Sequence, residues 1–403
     1  MRGPRSNLLC VSLTFFVYSG TAEPPPMRIP SHIAIVHEWF TAMRGGERCV
    51  EALCEIFPDA TLFALLHVRG TVSPVIEQMP IRTSFIQHLP FSDSRYRYYL
   101  PLFPAAIRRL DLRDFDLVVS SHHCVAKGVR VGPDALHICY CHTPMRYLWD
   151  QYEEYFGRGR AGFLTRTAMR AVAGPLRRWD VKTASAPHAL VANSEHVRNR
   201  IRMLWQREAD VIHPPVDTAM FQLSTRDDGY FLVVSAFVPY KRIDLAIEAC
   251  SACGEKLVIV GDGPDARRLK AMAGRGITFA GRVNDNELRT LYAGCRGVIF
   301  PGEEDFGIVP LEAMASGKPV VAFGRGGVLE TVRDAVDEGT GVFFREQSVA
   351  ALVAAIRRCR ETRFVPEVLR AQAERFDRTV YKRRMADYIA GHWSRHRTES
   401  PQL

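Results

Sequence analysis

The sequence lacks the patterns that mark several large protein classes. Its 403 residues contain no low-complexity tract, and self-similarity at a period of about 20 to 50 residues, which is the signature of repeat proteins, is absent. The 53 lysines and arginines contribute to a formal net charge of +9, yet no nucleic-acid-binding signature accompanies them. The charge therefore favours phosphate-bearing small molecules or an anionic membrane face as partners, and not nucleic acid.

Two other common patterns are also missing. No strand-like run is followed by a G-x-G-x-x-G or Walker motif, which argues against a nicotinamide oxidoreductase. The ten cysteines lie mostly in apolar runs, as reduced and buried thiols do. Cys250 and Cys253 form a lone C-x-x-C without the second ligand pair of a metal site. A reducing, cytosolic compartment is therefore the better interpretation.

The remaining pattern is an alternation of short apolar runs with helical segments. The first series predicts strands at 32–37, 60–66, 116–120, 135–141 and 190–193, with helices at 47–57 and 194–205. A polar, proline-containing stretch follows, and a second series predicts strands at 230–235, 256–260, 277–280, 297–301 and 319–323, with a helix at 243–253. Such alternation predicts an α/β protein with two parallel, doubly wound sheets.

The predicted domains follow from these two series. Residues 27–210 form the first domain, 211–229 a linker, and 230–375 the second domain. Residues 376–403 add a last helix, near 380–389, that packs back on the first domain, and a tail. In doubly wound sheets, ligands bind beyond the carboxyl ends of the strands. We therefore expect the functional site in a cleft between the two halves.

Two loops have glycines where a helix begins. Gly45 and Gly46 precede the first helix, so backbone N–H groups there can approach an anion closely, although a plain tight turn explains them equally well. The segment 302–312 carries Glu304 and Glu312 across a loop-to-helix junction. Both carboxylates are predicted to face the cleft and to accept sugar hydroxyls, while the backbone N–H groups of residues 307–309 meet phosphate. The alternative is an acidic loop with helix-capping glutamates.

Two further candidates lie at strand ends. Lys241 and Arg242 are predicted to open a helix, a position that electrostatics disfavours unless an anion is nearby. A bound diphosphate would offset that cost, and a solvated basic turn is the alternative. His142 follows a strand of the first half and precedes Thr143 and Pro144. A structural histidine is the alternative to a functional one there.

Together these residues resemble the retaining GT-B glycosyltransferases of family 4, or group 1. The similarity extends from about Ile33 to Ile389, and its most specific part is the Glu304-x7-Glu312 block. The other matching positions are Gly45-Gly46-Glu47, His142, Asn193-Ser194, Lys241, Gly261-Asp262-Gly263, Gly281-Arg282-Val283 and Gly326-Gly327. The resemblance implies a GT-B fold, in which two Rossmann-like doubly wound domains face a central cleft.

The resemblance also implies roles for individual residues. Glu312 binds the ribose hydroxyls, Glu304 the hydroxyls of the donor sugar, and Lys241 the diphosphate. The catalytic residues would be His142, Glu304 and Lys241. The donor-binding residues would be Gly45, Gly46, Lys241, Arg242, Arg282, Val283, Glu304, Gly307, Ile308, Val309 and Glu312, with the backbone near Arg282 and Val283 holding the base.

One position departs from the family pattern. Many members carry an arginine five residues before the lysine as a second phosphate clamp, and Ala236 stands there in this chain. Arg242 is the residue that we expect to compensate. The resemblance further implies no metal and no other cofactor, and attack by the acceptor from the side of the leaving group.

The run from His142 to Asp150 resembles bacterial polysaccharide mannosyltransferases. GDP-mannose is therefore the expected donor, against UDP-sugars or other GDP-sugars, and a polyprenyl-diphosphate-linked oligosaccharide the expected acceptor. Arg95, Arg97, Tyr98 and Tyr99, with the basic segment 166–178, are candidates for a surface at the inner face of the membrane, and solvated helix faces are the alternative. A nucleotide-sugar epimerase of the same shape and a non-catalytic sugar-binding protein are the rival functions.

The first 26 residues allow two interpretations. Arg2 and Arg5 precede an apolar run at 8–18, which is typical of a signal peptide and too short for a comfortable membrane span. Translation from Met27, with 1–26 as an extension, is the favoured alternative because a nucleotide sugar is a cytosolic substrate. We therefore expect a cytoplasmic protein that is peripheral at the membrane.

Overall fold

The computed structural model describes residues 30–157, 162–335 and 339–399. The predicted signal peptide or extension, 1–26, lies outside the described residues. Within them, fifteen strands and fifteen α-helices alternate along the chain.

The first half folds around a seven-stranded parallel sheet. Its spatial order is β5-β3-β1-β6-β7-β8-β9. The strands are β1 (Ile33–Val36), β3 (Thr61–Ala64), β5 (Ile81–Thr83), β6 (Leu117–His122), β7 (Leu136–Cys141), β8 (Ala189–Ala192) and β9 (Asp210–Val211), while β2 (Trp39–Phe40) and β4 (Leu66–His67) form a separate small ladder. Strand β1 is buried on both faces: Ile35 joins one core, and Ala34 and Val36 join the other, as the alternation of side chains along a strand requires.

The second half folds around a six-stranded parallel sheet in the order β12-β11-β10-β13-β14-β15. Its strands are β10 (Tyr230–Val234), β11 (Lys256–Val260), β12 (Ile277–Gly281), β13 (Gly297–Phe300), β14 (Val320–Phe323) and β15 (Gly341–Phe344). Two separate apolar cores cover the two faces of this sheet. The α/β prediction with two doubly wound sheets is therefore confirmed.

Helices cover both sheets. They are α1 (Gly45–Ile56), α2 (Pro74–Glu77), α3 (Ser92–Arg95), α4 (Phe103–Arg108), α5 (Tyr152–Phe156), α6 (Phe163–Thr183), α7 (Glu195–Trp205), α8 (Ile243–Cys253), α9 (Ala266–Met272), α10 (Asp285–Gly294), α11 (Ile308–Ala315), α12 (Val328–Thr331), α13 (Val349–Glu361), α14 (Pro366–Glu374) and α15 (Arg378–Glu399). In the part of the chain that the structure describes, none of them combines the length and apolar character needed to cross a bilayer.

The last helix, α15, packs against the first half of the molecule. Its buried residues Tyr381, Met385 and Ile389 join a core of the first sheet. At its start, the Arg378 guanidinium donates to the Glu51 carboxylate of α1 at 2.8 Å and also contacts Glu55. The chain thus returns from the second half and closes over α1.

The turn before α8 determines where Lys241 and Arg242 lie. Pro239–Lys241 forms a 3₁₀ turn, and Arg242, with φ 51°, occupies the N-cap position of α8. This left-handed conformation is incompatible with an α-helix interior, so α8 begins at Ile243, directly after the two basic residues, as predicted. Lys241 pairs with Glu304, and the Arg242 side chain is directed elsewhere.

Candidate functional site

Two helix N-termini face each other across the gap between the sheets. Helix α1 begins at Gly45 and α11 at Ile308. A Cβ atom on Gly45 would lie 3.0 Å from Ile308 Cδ1, and one on Gly46 would lie 3.3 Å from His37 Cε1. Glycine at position 45 therefore lets the two helix ends approach closely, and glycine at position 46 leaves room for the His37 ring. Both ends carry a partial positive charge, which favours an anion between them.

The start of α11 is shaped by Gly307. This residue has φ 94°, and a Cβ there would lie 3.2 Å from the Phe300 ring at the end of β13. The conformation is one that L side chains rarely adopt. Among the described residues, no side chain caps this helix, so the first N–H groups of α11 are available to a ligand.

A cleft of about 650 Å³ lies between these helix ends. Residues from both halves line it, and the sequence had singled out many of them. The lining includes Gly45, Gly46, His142, Asn193, Ala236, Lys241, Gly261, Glu304, Gly307, Ile308 and Val309. The structure thus brings most of the predicted donor-binding and catalytic residues into one place.

Lys241 and Glu304 form an ion pair on the wall that the second half contributes to the cleft. Burial alone lowers the pKa of Lys241, but the Glu304 carboxylate and Tyr240 outweigh it and raise this pKa above its usual value. Lys241 is therefore a stable cation next to the first turn of α11. This is the charge that a diphosphate requires.

His142 lines the same cleft from the opposite half. It follows β7, and its Nε2 atom lies 2.8 Å from Ser121 Oγ. Burial lowers the pKa of His142 well below its usual value, and the neighbouring His123 and His37 lower it further. The ring is therefore neutral near pH 7.

Glu312 lies in an adjoining cavity of about 250 Å³. Gly45 and Ile308 line both spaces, so the two adjoin each other at the start of α11. The Tyr292 hydroxyl donates to Glu312 Oε2 at 2.7 Å. Burial raises the pKa of Glu312, although the tyrosine bond opposes this shift. The two glutamates therefore face two adjoining spaces.

The predicted donor-binding side chain of Arg242 is placed elsewhere. Its guanidinium points into another cavity, of about 870 Å³, where its Nη1 donates to Gln347 Oε1 at 3.2 Å. Arg242 therefore does not stand beside Lys241 as a second clamp. The Arg282 side chain is 82% exposed and Val283 packs against an apolar core; the role assigned to the backbone near these two residues stays a prediction.

Arg146 is a cleft residue to which the sequence assigned no role. It enters from the first half and donates from Nη2 to Asp305 Oδ1 at 2.8 Å. The same oxygen accepts from Arg200 Nη1 at 2.9 Å, and the Asp305 carbonyl accepts from Ser194 Oγ at 2.6 Å. Asp305 thus ties the second half to the first beside Glu304. Its partners are distant in sequence, so no local pattern could reveal it.

Three ionisable groups, His37, Glu38 and His123, lie together at the edge of the cleft, which His123 lines, with ligand-type atoms within 4.8 Å of one another. Glu38 Oε1 already accepts N–H bonds at 2.8–3.2 Å from four consecutive backbone amides, beginning at His123. Burial raises the pKa of Glu38, but His123 and His122 outweigh it and hold this pKa well below its usual value. The carboxylate therefore anchors the segment that follows β6.

Comparison with known families assigns the two halves separately. The model for Glycosyltransferase Family 4 matches residues 43–220, and the model for Glycosyl transferases group 1 matches residues 217–378. The two matches meet in the predicted linker and together include both helix ends at the cleft.

Curated relatives match over shorter segments. The chain is 34% identical over 120 residues to O-antigen chain mannosyltransferase C of Escherichia coli, covering 28% of this chain and 32% of that one. It is 25% identical over 288 residues to an alpha-1,3/1,6-mannosyltransferase of Homo sapiens, covering 59% and 66%. The matches cover 32% of the Escherichia coli protein and 29% of a sulfoquinovosyl transferase of Arabidopsis thaliana. The chain therefore spans about a third of the length of these two relatives.

Solved structures share the whole architecture. HepE of Anabaena, in complex with UDP-glucose, superposes with a TM-score of 0.66 at 18% identity, covering 89% of this chain and 99% of that one. Sucrose-phosphate synthase of Thermosynechococcus elongatus superposes with a TM-score of 0.67 at 16% identity, covering 90% and 99%. These likenesses confirm the GT-B fold, with two Rossmann-like sheets. With both family models matched in order along one chain, the protein belongs to the family 4, group 1 glycosyltransferases.

Proposed function

We propose that the protein is a glycosyltransferase that moves a hexose from a nucleotide-sugar donor onto a carbohydrate acceptor. The observation that carries the proposal is the convergence of three positive features on one cleft: the start of α1, the start of α11 and the Lys241 ammonium. A leaving nucleoside diphosphate gains negative charge as the sugar departs. Fixed dipoles and a cation aimed at that charge stabilise the transition state.

The donor is proposed to lie along the start of α11. Its ribose would bind Glu312 in the smaller cavity, its diphosphate the N–H groups of residues 307–309 and Lys241, and its sugar Glu304 and His142. The two spaces adjoin each other at Gly45 and Ile308, which supports this arrangement. GDP-mannose is the proposed donor because several matched relatives are named mannosyltransferases.

The acceptor is proposed to be a polyprenyl-diphosphate-linked oligosaccharide of surface polysaccharide assembly. The larger cavity shares Arg146 and Tyr240 with the central cleft, so an oligosaccharide can reach the donor sugar from it. Its lining mixes guanidinium groups with carboxylates, including Asp150 and Glu154. Such a mixture suits neutral sugar hydroxyls.

Membrane attachment is proposed through the surface around α3 at the inner face of a membrane. Tyr98 there is 74% exposed and Phe91 is 68% exposed, and Arg95 lies over the Phe91 ring at 5.4 Å. Exposed aromatic rings with arginines suit an anionic bilayer surface. Sedimentation with anionic phospholipid vesicles tests this, since Phe91→Ser with Tyr98→Ser should abolish binding and leave transfer to a short-chain acceptor intact. Equal sedimentation of the double variant would contradict it.

The test of function is product formation by protein started at Met27, using a panel of GDP- and UDP-sugars with a short polyprenyl-diphosphate oligosaccharide. Mass spectrometry should detect an acceptor heavier by one hexose, and Glu304→Ala and Lys241→Ala should each abolish it. Conversion of the donor without acceptor would favour the epimerase. Donor binding without product from any acceptor would favour a non-catalytic protein.

A further inference from the structure

Three neighbouring strands place three hydrogen-bonded side chains in a row that ends at the cleft. Strands β1, β6 and β7 are adjacent in the first sheet. His37 follows β1, Ser121 lies near the end of β6, and His142 follows β7. Ser121 Oγ stands between the two rings, 3.1 Å from His37 Nδ1 and 2.8 Å from His142 Nε2. Ser121 and His37 are fully buried.

The direction of these hydrogen bonds follows from one carbonyl group. His37 Nδ1 also lies 3.3 Å from the backbone oxygen of Ser121. A carbonyl oxygen only accepts, so His37 Nδ1 must carry the hydrogen. Ser121 Oγ then accepts from His37. Its own hydrogen, among the described residues, has no acceptor other than His142 Nε2. His142 Nε2 is therefore an acceptor, and in the neutral ring the hydrogen lies on Nδ1.

Glu47 lies at the other end of this row of side chains, next to His37. Its Oε1 atom lies 3.6 Å from His37 Nε2, and both side chains are buried. Burial alone lowers the pKa of His37, but Glu47 and Glu38 outweigh it and raise this pKa. With the hydrogen on Nδ1, which the Ser121 carbonyl requires, His37 is the donor to Ser121 Oγ. Gly46 leaves room for the arrangement, because a Cβ there would lie only 3.3 Å from His37 Cε1.

We propose that Ser121 is a positioning residue that holds His142 as the Nδ1–H tautomer, so that the ring presents a hydrogen-bond donor to the cleft. Among the described residues, no group accepts a hydrogen bond from His142 Nδ1, and the residue lines the cleft. An N–H donor there suits a hydroxyl oxygen of the bound sugar. The nature of that ligand rests on the proposed function, whereas the tautomer rests on the geometry alone.

Nitrogen-15 NMR of the full chain labelled on histidine tests the tautomer directly. The His142 signals are assigned by their loss in His142→Gln. The expected result is a protonated Nδ1 and an unprotonated Nε2 in the wild type, a change toward the Nε2–H form in Ser121→Ala, and retention of the wild-type form in Ser121→Thr. An Nε2–H ring in the wild type, or an unchanged ring in Ser121→Ala, would overturn the proposal.

A matched control lies one residue away on the other face of β6. Ser120 Oγ lies 2.8 Å from His137 Nε2, and both residues are fully buried. Ser120→Ala removes the same kind of bond without touching His142, and should leave the His142 spectrum unchanged. If Ser121→Ala fails to fold, the wild-type and Ser121→Thr spectra still decide the tautomer.

Turnover gives a second readout. Ser121→Ala should lower kcat by about 10- to 100-fold, as loss of an orienting partner does, with less than about a twofold change in the donor KM. Ser121→Thr should restore kcat, and an unchanged kcat in Ser121→Ala would overturn the positioning role. An inactive wild type with the expected tautomer would instead count against the proposed function and leave the tautomer assignment standing.

Discussion

Lys241 and Glu304 form an ion pair at the point where the first turn of α11 faces the cleft. Each of the two is proposed to contact a different part of the donor, Lys241 the diphosphate and Glu304 the sugar. A bound diphosphate therefore competes with Glu304 for the same ammonium group. When a diphosphate binds Lys241, the Glu304 carboxylate is therefore released from the ion pair and can bind the sugar.

This competition predicts opposite effects of Glu304→Gln on binding and on transfer. The amide keeps the shape but releases Lys241, so GDP should bind as tightly as in the wild type or more tightly. The sugar loses a charged acceptor, and transfer should fall by about 10- to 100-fold. Calorimetry with GDP and a turnover assay separate the two effects. A parallel loss of GDP affinity would show that Glu304 supports the nucleotide and not the sugar.

Gly45→Ala tests the contact between the two helix ends. The new Cβ would lie 3.0 Å from Ile308 Cδ1 and should push α1 away from α11, which weakens donor binding about tenfold or more. Thermal stability should change by less than about 1 kcal/mol, because Gly45 is the first residue of α1 and the preference for alanine over glycine, about 1 kcal/mol in a helix interior, is at most partly gained there. The double variant Gly45→Ala with Ile308→Val removes Cδ1 and should recover the affinity.

The matched control for this change is Gly391→Ala. Gly391 lies in α15, where a Cβ would have nothing within 4 Å. Donor affinity should stay at the wild-type value in this variant. If Gly45→Ala also binds the donor normally, close approach of α1 and α11 is not required.

The ion pairs of Asp305 with Arg146 and Arg200 should make the stability of the contact between the two halves depend on pH. Burial raises the pKa of Asp305, but Arg146 and Arg200 outweigh burial and hold the pKa below the usual value. A depressed folded-state pKa means that the stabilisation is complete above the unfolded-state pKa and is lost as the pH falls through the folded-state value. Asp305→Asn should therefore lower stability at neutral pH and reduce the difference from the wild type below about pH 4. Urea unfolding at both pH values measures this, and an equal deficit at both would contradict it.

The last helix should be essential for stability of the first half. Met385 of α15 is fully buried in a core of the first sheet, so Met385→Ala should cost about 2–5 kcal/mol. Arg384→Ala, at an exposed neighbouring position, should change stability by less than about 0.5 kcal/mol. Urea unfolding compares the two. Similar small effects would mean that α15 packs only loosely.

The sequence was sufficient for much of the fold because its signals are local. Buried parallel strands appear as short apolar runs, and the prediction of helix 243–253 coincides with α8 (Ile243–Cys253). The glycines at 45, 46 and 307 also indicated correctly that helices begin beside them. These signals reflect backbone propensity and burial, which a few neighbouring residues determine.

What the sequence did not reveal depends on contacts between distant residues. Arg146 and Asp305 are 159 positions apart and meet only because the two halves face each other. Arg242 follows Lys241 directly, yet its left-handed backbone turns the guanidinium into a different cavity. Lys241 and Arg242 are neighbours in the sequence, but their charged groups lie in different cavities. The His37, Ser121 and His142 chain likewise requires the strand order of the folded sheet.

The central claim is that the cleft beside Lys241 holds the diphosphate of a nucleotide-sugar donor, and calorimetric titration with GDP-mannose tests it most directly. Lys241→Ala should weaken binding at least about tenfold, since hydrogen bonds to charged groups contribute about 1.5–3 kcal/mol. Arg242→Ala and the exposed Lys256→Ala should bind as the wild type does. Unchanged binding in Lys241→Ala, or an equal loss in Arg242→Ala, would contradict the placement of the donor.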